Sequence, residues 1–367
     1  MKYRVPLFFY VLNMNFTSKN MKRSIYFFVI FFITSCVHNT LDQEYSIPLL
    51  DLESVEAERI TGTPLFELIA KHVDIDVINN YFFVNTHDKS EGIVQIFNRS
   101  GKKITSFGIK GKGPQELLFG DNAGYDEEEC EYWLFDLYQS KLIAFKYNIV
   151  KNDSIVIRVD RILNNMDNNL IRVKAVTNNK FIGTIYSKKG IFAYYDGNIV
   201  TPSNIFGDYP LPVNDVLATN LIRFQGDIIV DSDNKRLFFA SSKIGYISSY
   251  SLKTFKKRWA FFTTRPVYKI KNGDIIFDYE NHKDGFASIK RVDGRIYALY
   301  KGLSGVRYHK KGIRPGANMV LVFDEKGTIV GKYLLDSNIV SFCISSDKKY
   351  LFGVTVNENM SVVQYEL

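Results

Sequence analysis

A spacing that recurs along the chain constrains its fold more than any single motif. A strand pattern, a tight polar turn and a second strand pattern return six times. Self-similarity at a fixed period of about fifty residues points to a repeat architecture before any other reading. The six hairpins are Tyr81–Thr86 with Gly92–Phe97, Tyr132–Asp136 with Lys141–Tyr147, Lys180–Tyr186 with Gly190–Asp196, Arg236–Ser241 with Gly245–Ser251, Arg295–Lys301 with Met319–Asp324, and Lys349–Val356 with Ser361–Glu366. Two stretches, Ile93–Glu116 and Val320–Leu334, show the echo directly. Phe97 stands four before Gly101 and Phe323 four before Gly327, while Ile104 and Val330 follow those glycines by three and Phe107 and Tyr333 by six.

Most hairpins carry a further strand pattern on each side. Val73–Ile78, Leu170–Thr177, Asp227–Asp231, Ala287–Val292 and Ile339–Ile344 precede hairpins, and Lys103–Phe107, Ile155–Val159, Lys256–Phe262 and Thr328–Leu335 follow them. Four antiparallel strands per unit is the pattern of a propeller blade, so the expectation is an all-β, six-bladed β-propeller. A β-solenoid would have a shorter period, and a sandwich would not repeat evenly. The sixth unit ends at Leu367 without an outer strand. An open edge there would leave a row of unpaired backbone groups. An N-terminal strand, Ser46–Leu52 or the segment just after it, is expected to complete the last blade and close the ring. Glu53–Ala70 is ambiguous, and Pro64 argues against an unbroken helix in it. Two insertions interrupt the period: a hairpin at Val267–Tyr279 turning at Asn272-Gly273, and a long turn at Leu303–Asn318. Loops of this kind are where binding tends to sit.

The aromatic content of 15% and the many Tyr and Phe residues agree with strands. The formal charge of +8 overstates the basicity of the folded part. Residues 1–35 hold five basic residues and no acidic one, leaving 42 basic against 39 acidic from Cys36 onward. Nucleic-acid binding wants a concentrated basic face, and no such partner is expected.

The N-terminus reads as a targeting segment. Met21-Lys22-Arg23, with Met21 as the true start, is followed by an apolar run, Ser24–Phe32, too short to span a bilayer. Ile33-Thr34-Ser35-Cys36 then resembles the lipobox of bacterial lipoproteins, in which the cysteine is acylated and the peptide before it removed. The expected organisation is a signal peptide over 1–35, a tether over 36–45 and the propeller over 46–367. Lipid attached at Cys36 makes the membrane a partner. Val37 after the cysteine favours the outer membrane in proteins of this resemblance, facing either the periplasm or the outside. Cys130 and Cys343 are read as free thiols in separate repeats, a single disulfide being the alternative.

Phe107-Gly-Ile-Lys-Gly-Lys-Gly-Pro-Gln-Glu116 resembles the exit loop of the six-bladed, TolB-like propeller lipoproteins of Bacteroides and relatives. Val320–Asp336 is similar to their late strand pair, and Gln115 departs from the glycine usual in that loop. The resemblance implies the fold and the envelope address, and little about activity.

Candidate chemistry is sparse. Gly108, Gly111 and Gly113 with Lys110 and Lys112 form a glycine-rich basic loop that can be read as an anion cradle or as a shaped passage between blades. No helix with a Lys-Ser/Thr pair follows it, so it is no P-loop. Arg307, His309, Lys310, Lys311 and Arg314 make the second insertion basic, a fit for anionic lipid headgroups, lipopolysaccharide or acidic glycans. The five histidines are scattered without metal spacing, and Gly-x-Ser-x-Gly is absent. Asp121, Asn122, Asn220, Asp231 and Asp233 suit either turns or a channel site of the kind calcium-dependent propeller lactonases use. Asp153-Ser154-Ile155 matches a short O-glycosylation pattern. The expectation is therefore a non-catalytic binding or scaffolding propeller without a cofactor, for a protein or glycan partner. A Ca2+-dependent hydrolase or lactonase working in the central channel is the alternative, and an envelope sensor is a weaker third.

Overall fold

A computed structural model describes residues 47–68, 73–86, 91–150, 154–177, 179–211, 223–278, 280–304, 316–356 and 360–367. The elements among the described residues are strands, most of them arranged as six four-stranded antiparallel blades. Blade one is Asp74–Ile78, Tyr81–Asn85, Val94–Phe97 and Lys103–Phe107; blade two is Asp121–Asp126, Glu131–Asp136, Lys141–Val150 and Ser154–Leu163. Blade three is Leu170–Thr177, Lys180–Ile185, Phe192–Asp196 and Asn204–Phe206; blade four is Gly226–Asp231, Arg236–Ser241, Tyr246–Ser251 and Lys257–Phe262. Blade five is Phe286–Val292, Arg295–Tyr300, Ala317–Phe323 and the first part of Ile329–Ile344. That last strand runs on, and residues 339–344 become the inner strand of blade six. Two blades therefore share one continuous sheet, which Tyr350–Val356 and Met360–Glu366 extend.

The ring closes through the N-terminal segment, as expected, but with a later strand than Ser46–Leu52. Thr63–Leu68 pairs antiparallel with Met360–Glu366 and supplies the missing outer strand of blade six. Pro64 is tolerated because this is an edge strand and its register shifts between Pro64 and Phe66. The earlier candidate runs along the outside of blade four instead: Leu50 N–H donates to Phe262 O at 2.7 Å and Phe262 N–H to Pro48 O at 2.9 Å. Glu58–Ile60 then pairs parallel with Tyr333–Leu335 on blade five. The segment staples blades four and five before it completes the ring on blade six.

Both faces of each blade are covered by neighbours, which explains apolar runs without alternation. Along Tyr81–Asn85, Phe82 packs its ring 5.0 Å from Phe352 of blade six, while Phe83 on the opposite face lies 5.4 Å from Tyr132 of blade two. Phe192 of blade three meets Phe239 and Tyr250 of blade four at 5.2 Å each. Tight turns follow the residues that favour positive φ. Asn79-Asn80, Asp293-Gly294 and Asn272-Gly273 all hold it, as two-residue hairpins require. The last of these turns the inserted hairpin, Tyr268–Lys271 with Asp274–Phe277.

Two strands had no clear sequence pattern. Asp121–Asp126 is polar because it faces the axis, and Asn204–Phe206 has only three residues. Cys130 and Cys343 are both free, Cys343 buried and Cys130 half-buried in a turn.

The closing strand also touches blade one: Phe66 stacks 5.2 Å from Phe97 and lies 5.5 Å from Phe82. Gly101 is glycine because a Cβ there would fall 2.4 Å from the Phe66 Cβ, at a φ of +79°. Phe66→Ala is expected to cost about 2 kcal/mol, less than a fully buried phenylalanine, and to lower the thermal midpoint by several degrees in a calorimetric melt.

Candidate functional site

The inner strands of all six blades line an axial cavity of about 1120 Å³. Its wall includes pairs of polar residues two apart in these strands: Asp74 and Asp76, Arg172 and Lys174, Ser288 and Lys290. With a side-chain period of two, each pair shares one side of its strand.

These side chains form a girdle from blade to blade. Lys290 Nζ of blade five lies 2.8 Å from Asp76 Oδ1 and 3.4 Å from Asp74 Oδ1 of blade one. Asp74 Oδ1 also accepts from Ser341 Oγ of blade six at 2.6 Å. Asp76 Oδ2 accepts from the Asn122 amide of blade two. Lys174 Nζ of blade three donates to Asn122 O at 2.9 Å. Arg172 Nη1 donates to Asp227 Oδ1 of blade four at 3.0 Å, and Asp227 Oδ2 accepts from Ser288 Oγ at 3.0 Å and Ile289 N–H at 3.1 Å on blade five. The girdle thus runs from blade one through two, three and four to five and returns to one, with blade six attached through Ser341.

The electrostatics follow from depth and pairing. Burial opposes ionisation of Asp74, yet Lys290, the Ser341 hydrogen bond and Lys174 outweigh it and hold the carboxyl below its ordinary range. Burial and the nearby Asp74 charge raise Asp76, with Lys290 opposing. Burial acts to lower Lys290, but Asp74 and Asp76 raise it well above an ordinary lysine. Lys174 is lowered by burial, against Asp227, and with Lys290 adding repulsion. Asp121 makes no side-chain hydrogen bond among the described residues, and burial raises it despite Arg172 and Lys174.

The predicted loop at Gly108–Glu116 is filled from within. Gly113 N–H donates to Glu116 Oε2 at 2.7 Å, so the loop's own carboxylate takes the place an anion would use. A Cβ on Gly111 would fall 2.0 Å from that oxygen, which explains the glycine. Lys141 Nζ holds the carbonyls of Gly113 and Glu116 at 2.9 and 2.8 Å, and Gln139 Nε2 holds those of Gly111 and Glu116 at 3.1 and 3.2 Å. Lys112 projects to the surface and Lys110 is half-buried, so neither is drawn into the girdle. Cys36, Arg307, His309, Lys310, Lys311, Arg314, Asn220 and Asp153 lie outside the described residues.

Of the other sequence candidates, Asp121 and Asn122 line the channel, while Asp231 ends the inner strand of blade four, where it pairs with Arg291 at 2.9 Å, and Asp233 belongs to the turn that follows. The charged girdle itself was missed. Its signal was the polar pair two apart at the start of a unit's first strand, visible as Asp-Ile-Asp, Arg-Val-Lys and Ser-Ile-Lys.

Lys290→Met is expected to destabilise the fold by about 3 kcal/mol at neutral pH, because it leaves Asp74 and Asp76 without their cation. In the variant both carboxyls would have folded-state pKa values above the unfolded ones. The penalty is then absent below the unfolded carboxylate range and grows as pH rises through the folded values. Denaturant titrations of both proteins from pH 3 to pH 7 should show the gap opening with pH.

A family model described as TolB-like 6-blade propeller-like matches residues 96–347. Among solved structures, the chain is similar to a putative exported protein of Bacteroides fragilis NCTC 9343, at 12% identity and a TM-score of 0.52, covering 87% of this chain and 97% of that one. It is also similar to a member of the DUF4221 family from Bacteroides vulgatus ATCC 8482, at 12% identity and a TM-score of 0.50, covering 85% and 97%. No curated protein matches the sequence. Since the family model spans well over half of the chain and the six blades agree with it, the chain belongs to the TolB-like six-bladed propeller family.

Proposed function

We propose that this protein is an envelope lipoprotein, tethered through Cys36, that binds a glycan in its axial channel. The observation that carries the reading is the girdle. Its charged groups are held in fixed pairs by backbone-anchored partners, so the polar wall is preorganised for a polar solute. Free donor capacity remains beside it, since the Arg172 side chain is 45% exposed and uses one nitrogen on Asp227. Tyr125, Phe119 and Phe277 also line the cavity. Aromatic rings that take the C–H face of a sugar, next to donors and acceptors for its hydroxyls, make a cavity of mixed character suited to an oligosaccharide.

The hydrolase alternative needs carboxylates and amides facing a bound cation. Here Asp74 and Asp76 converge on the Lys290 ammonium, which stands where such a cation would be held. No group of three or more His, Cys, Asp or Glu suited to a metal occurs among the described residues. The targeting segment supports the envelope address.

Calorimetric titration of the folded chain with a panel of neutral and acidic trisaccharides is expected to find saturable binding. Arg172→Ala and Tyr125→Ala should each weaken it about tenfold, the loss of roughly one good contact. Absence of saturable binding across the panel, or unchanged affinity in both variants, would refute the channel reading. In cells, palmitate labelling of the protein is expected, and Cys36→Ala should abolish it; undiminished labelling of that variant would refute the tether.

A further inference from the structure

In a propeller the passages between blades and the turns between second and third strands fall on one face. Residues 207–211 and 223–225 between blades three and four, 263–278 and 280–285 between blades four and five, and 301–304 after the second strand of blade five lie on that face by this rule. At the junction of blades four and five they are tied together at Ser242. Ser242 N–H and Oγ donate to Gln225 O at 2.8 and 3.0 Å. Ser242 O in turn accepts from Gly285 N–H at 3.2 Å and from Lys301 Nζ at 3.4 Å. Gly285 permits the approach, since a Cβ there would fall 2.0 Å from Ile244 O. Lys301 N–H donates to Gly285 O at 2.9 Å and Gly302 N–H to Asp284 O at 3.2 Å, fixing the blade-five side.

The corner brings cationic side chains to the cavity rim with little to neutralise them. Lys243, Lys301 and Arg223 all line the cavity, and Asp284 is the carboxylate that Lys243 and Lys301 face there. Lys243 Nζ is 3.9 Å from Asp284 Oδ2, a loose pair. Among the described residues, the ammonium of Lys301 has only the long bond to Ser242 O, and Arg223 makes no hydrogen bond or ion pair. His282 adds no charge of its own. Its Nδ1 accepts from Val267 N–H at 3.3 Å, so Nε2 carries the proton and donates to Lys243 O at 2.6 Å, while burial holds its pKa below the ordinary value. Phe277 stacks on that imidazole at 4.1 Å and lines the same cavity. Burial and Lys243 lower Lys301, with Asp284 opposing, as expected of a cation short of counter-charge.

We infer that this corner of the channel rim is an anion subsite, in which Lys301, Lys243 and Arg223 receive the carboxylate or sulfate group of an acidic oligosaccharide. The inference rests on the channel reading above and narrows it to a substrate class. The girdle charges, Asp74, Asp76 and Asp227 against Arg172, Lys174 and Lys290, balance within the protein, whereas among the described residues this corner holds three cations against one acid. A singly or doubly charged group seated there makes charge-assisted hydrogen bonds and relieves the excess. The uncharged part of the saccharide then extends along the axis toward Arg172 and Tyr125.

Titration of the full chain with sodium sulfate should find one saturable site. Lys301→Met is expected to weaken it about tenfold, the worth of one charge-assisted contact, with its fold checked by circular dichroism. Asp284→Asn removes the competing carboxylate and should tighten binding severalfold, a gain that a folding defect does not produce. No saturable sulfate binding, or equal affinity in wild type and both variants, overturns the inference. Sulfate is not a saccharide, so the channel reading is judged separately. If acidic and neutral trisaccharides bind equally and Lys301→Met changes neither, the channel reading stands and the anion subsite falls.

Discussion

Backbone pairing between Thr63–Leu68 and Met360–Glu366 is the interaction on which the rest of the molecule depends. Without it, blade six would present a strand edge to solvent and the ring would be open between its first and last repeats. The pairing joins residues about three hundred positions apart, so it is a non-local contact whose closure entropy has to be offset by other contacts. The Phe66 ring does part of this by reaching blade one, where it meets Phe82 and Phe97. The preceding segment adds more, since it pairs with blade four at Phe262 and with blade five at Tyr333–Leu335. Closure is thus a four-blade contact, and the N-terminal segment acts as a belt.

Once the ring is closed, each blade has two buried faces, and polar side chains of the inner strands converge on the axis. Charges that enter it leave much of their hydration behind and have to find partners there. The girdle is the outcome. Lys290 answers Asp74 and Asp76, Arg172 answers Asp227, and backbone N–H groups at Ile75, Ile228 and Ile289 add hydrogen bonds to Asp74 Oδ1, Asp227 Oδ1 and Asp227 Oδ2. The same side chains that solve this solvation problem connect five blades in a cycle and attach the sixth. Fold closure and channel polarity are therefore two aspects of one arrangement.

The parts of this that were legible in the sequence are those whose pattern follows from burial alone. The six hairpins stood out because Phe82, Phe83 and Val84, or Leu237, Phe238 and Phe239, are packed on both faces and leave no polar gap. The closing strand was harder to read because Thr63–Leu68 has a half-exposed pattern and contains Pro64, which its edge position and bulge tolerate. The girdle was unreadable for a different reason. Asp, Asn and Ser are also the residues of turns, and Asp121 in the channel has the same local look as Asp233 in a turn. Only ring geometry separates them. The glycine-rich loop shows the reverse case, where a conspicuous motif proved to be structural because Glu116 folds back into it.

The distribution of charge in the channel carries the argument one step further. Had the aspartates been unopposed, the axis would suit a metal ion. Had the lysines been unopposed, the whole wall would bind anions without discrimination. Instead the middle is internally compensated, and the surplus is displaced to the rim at Arg223, Lys243 and Lys301. A fixed, neutralised middle with a charged end discriminates by orientation. A ligand carrying one acid group finds a single favourable end, and its neutral remainder meets a wall that offers hydrogen bonds without demanding a counter-ion. That asymmetry comes from the loops of blades four and five, which bring Arg223, Lys243 and Lys301 to the rim.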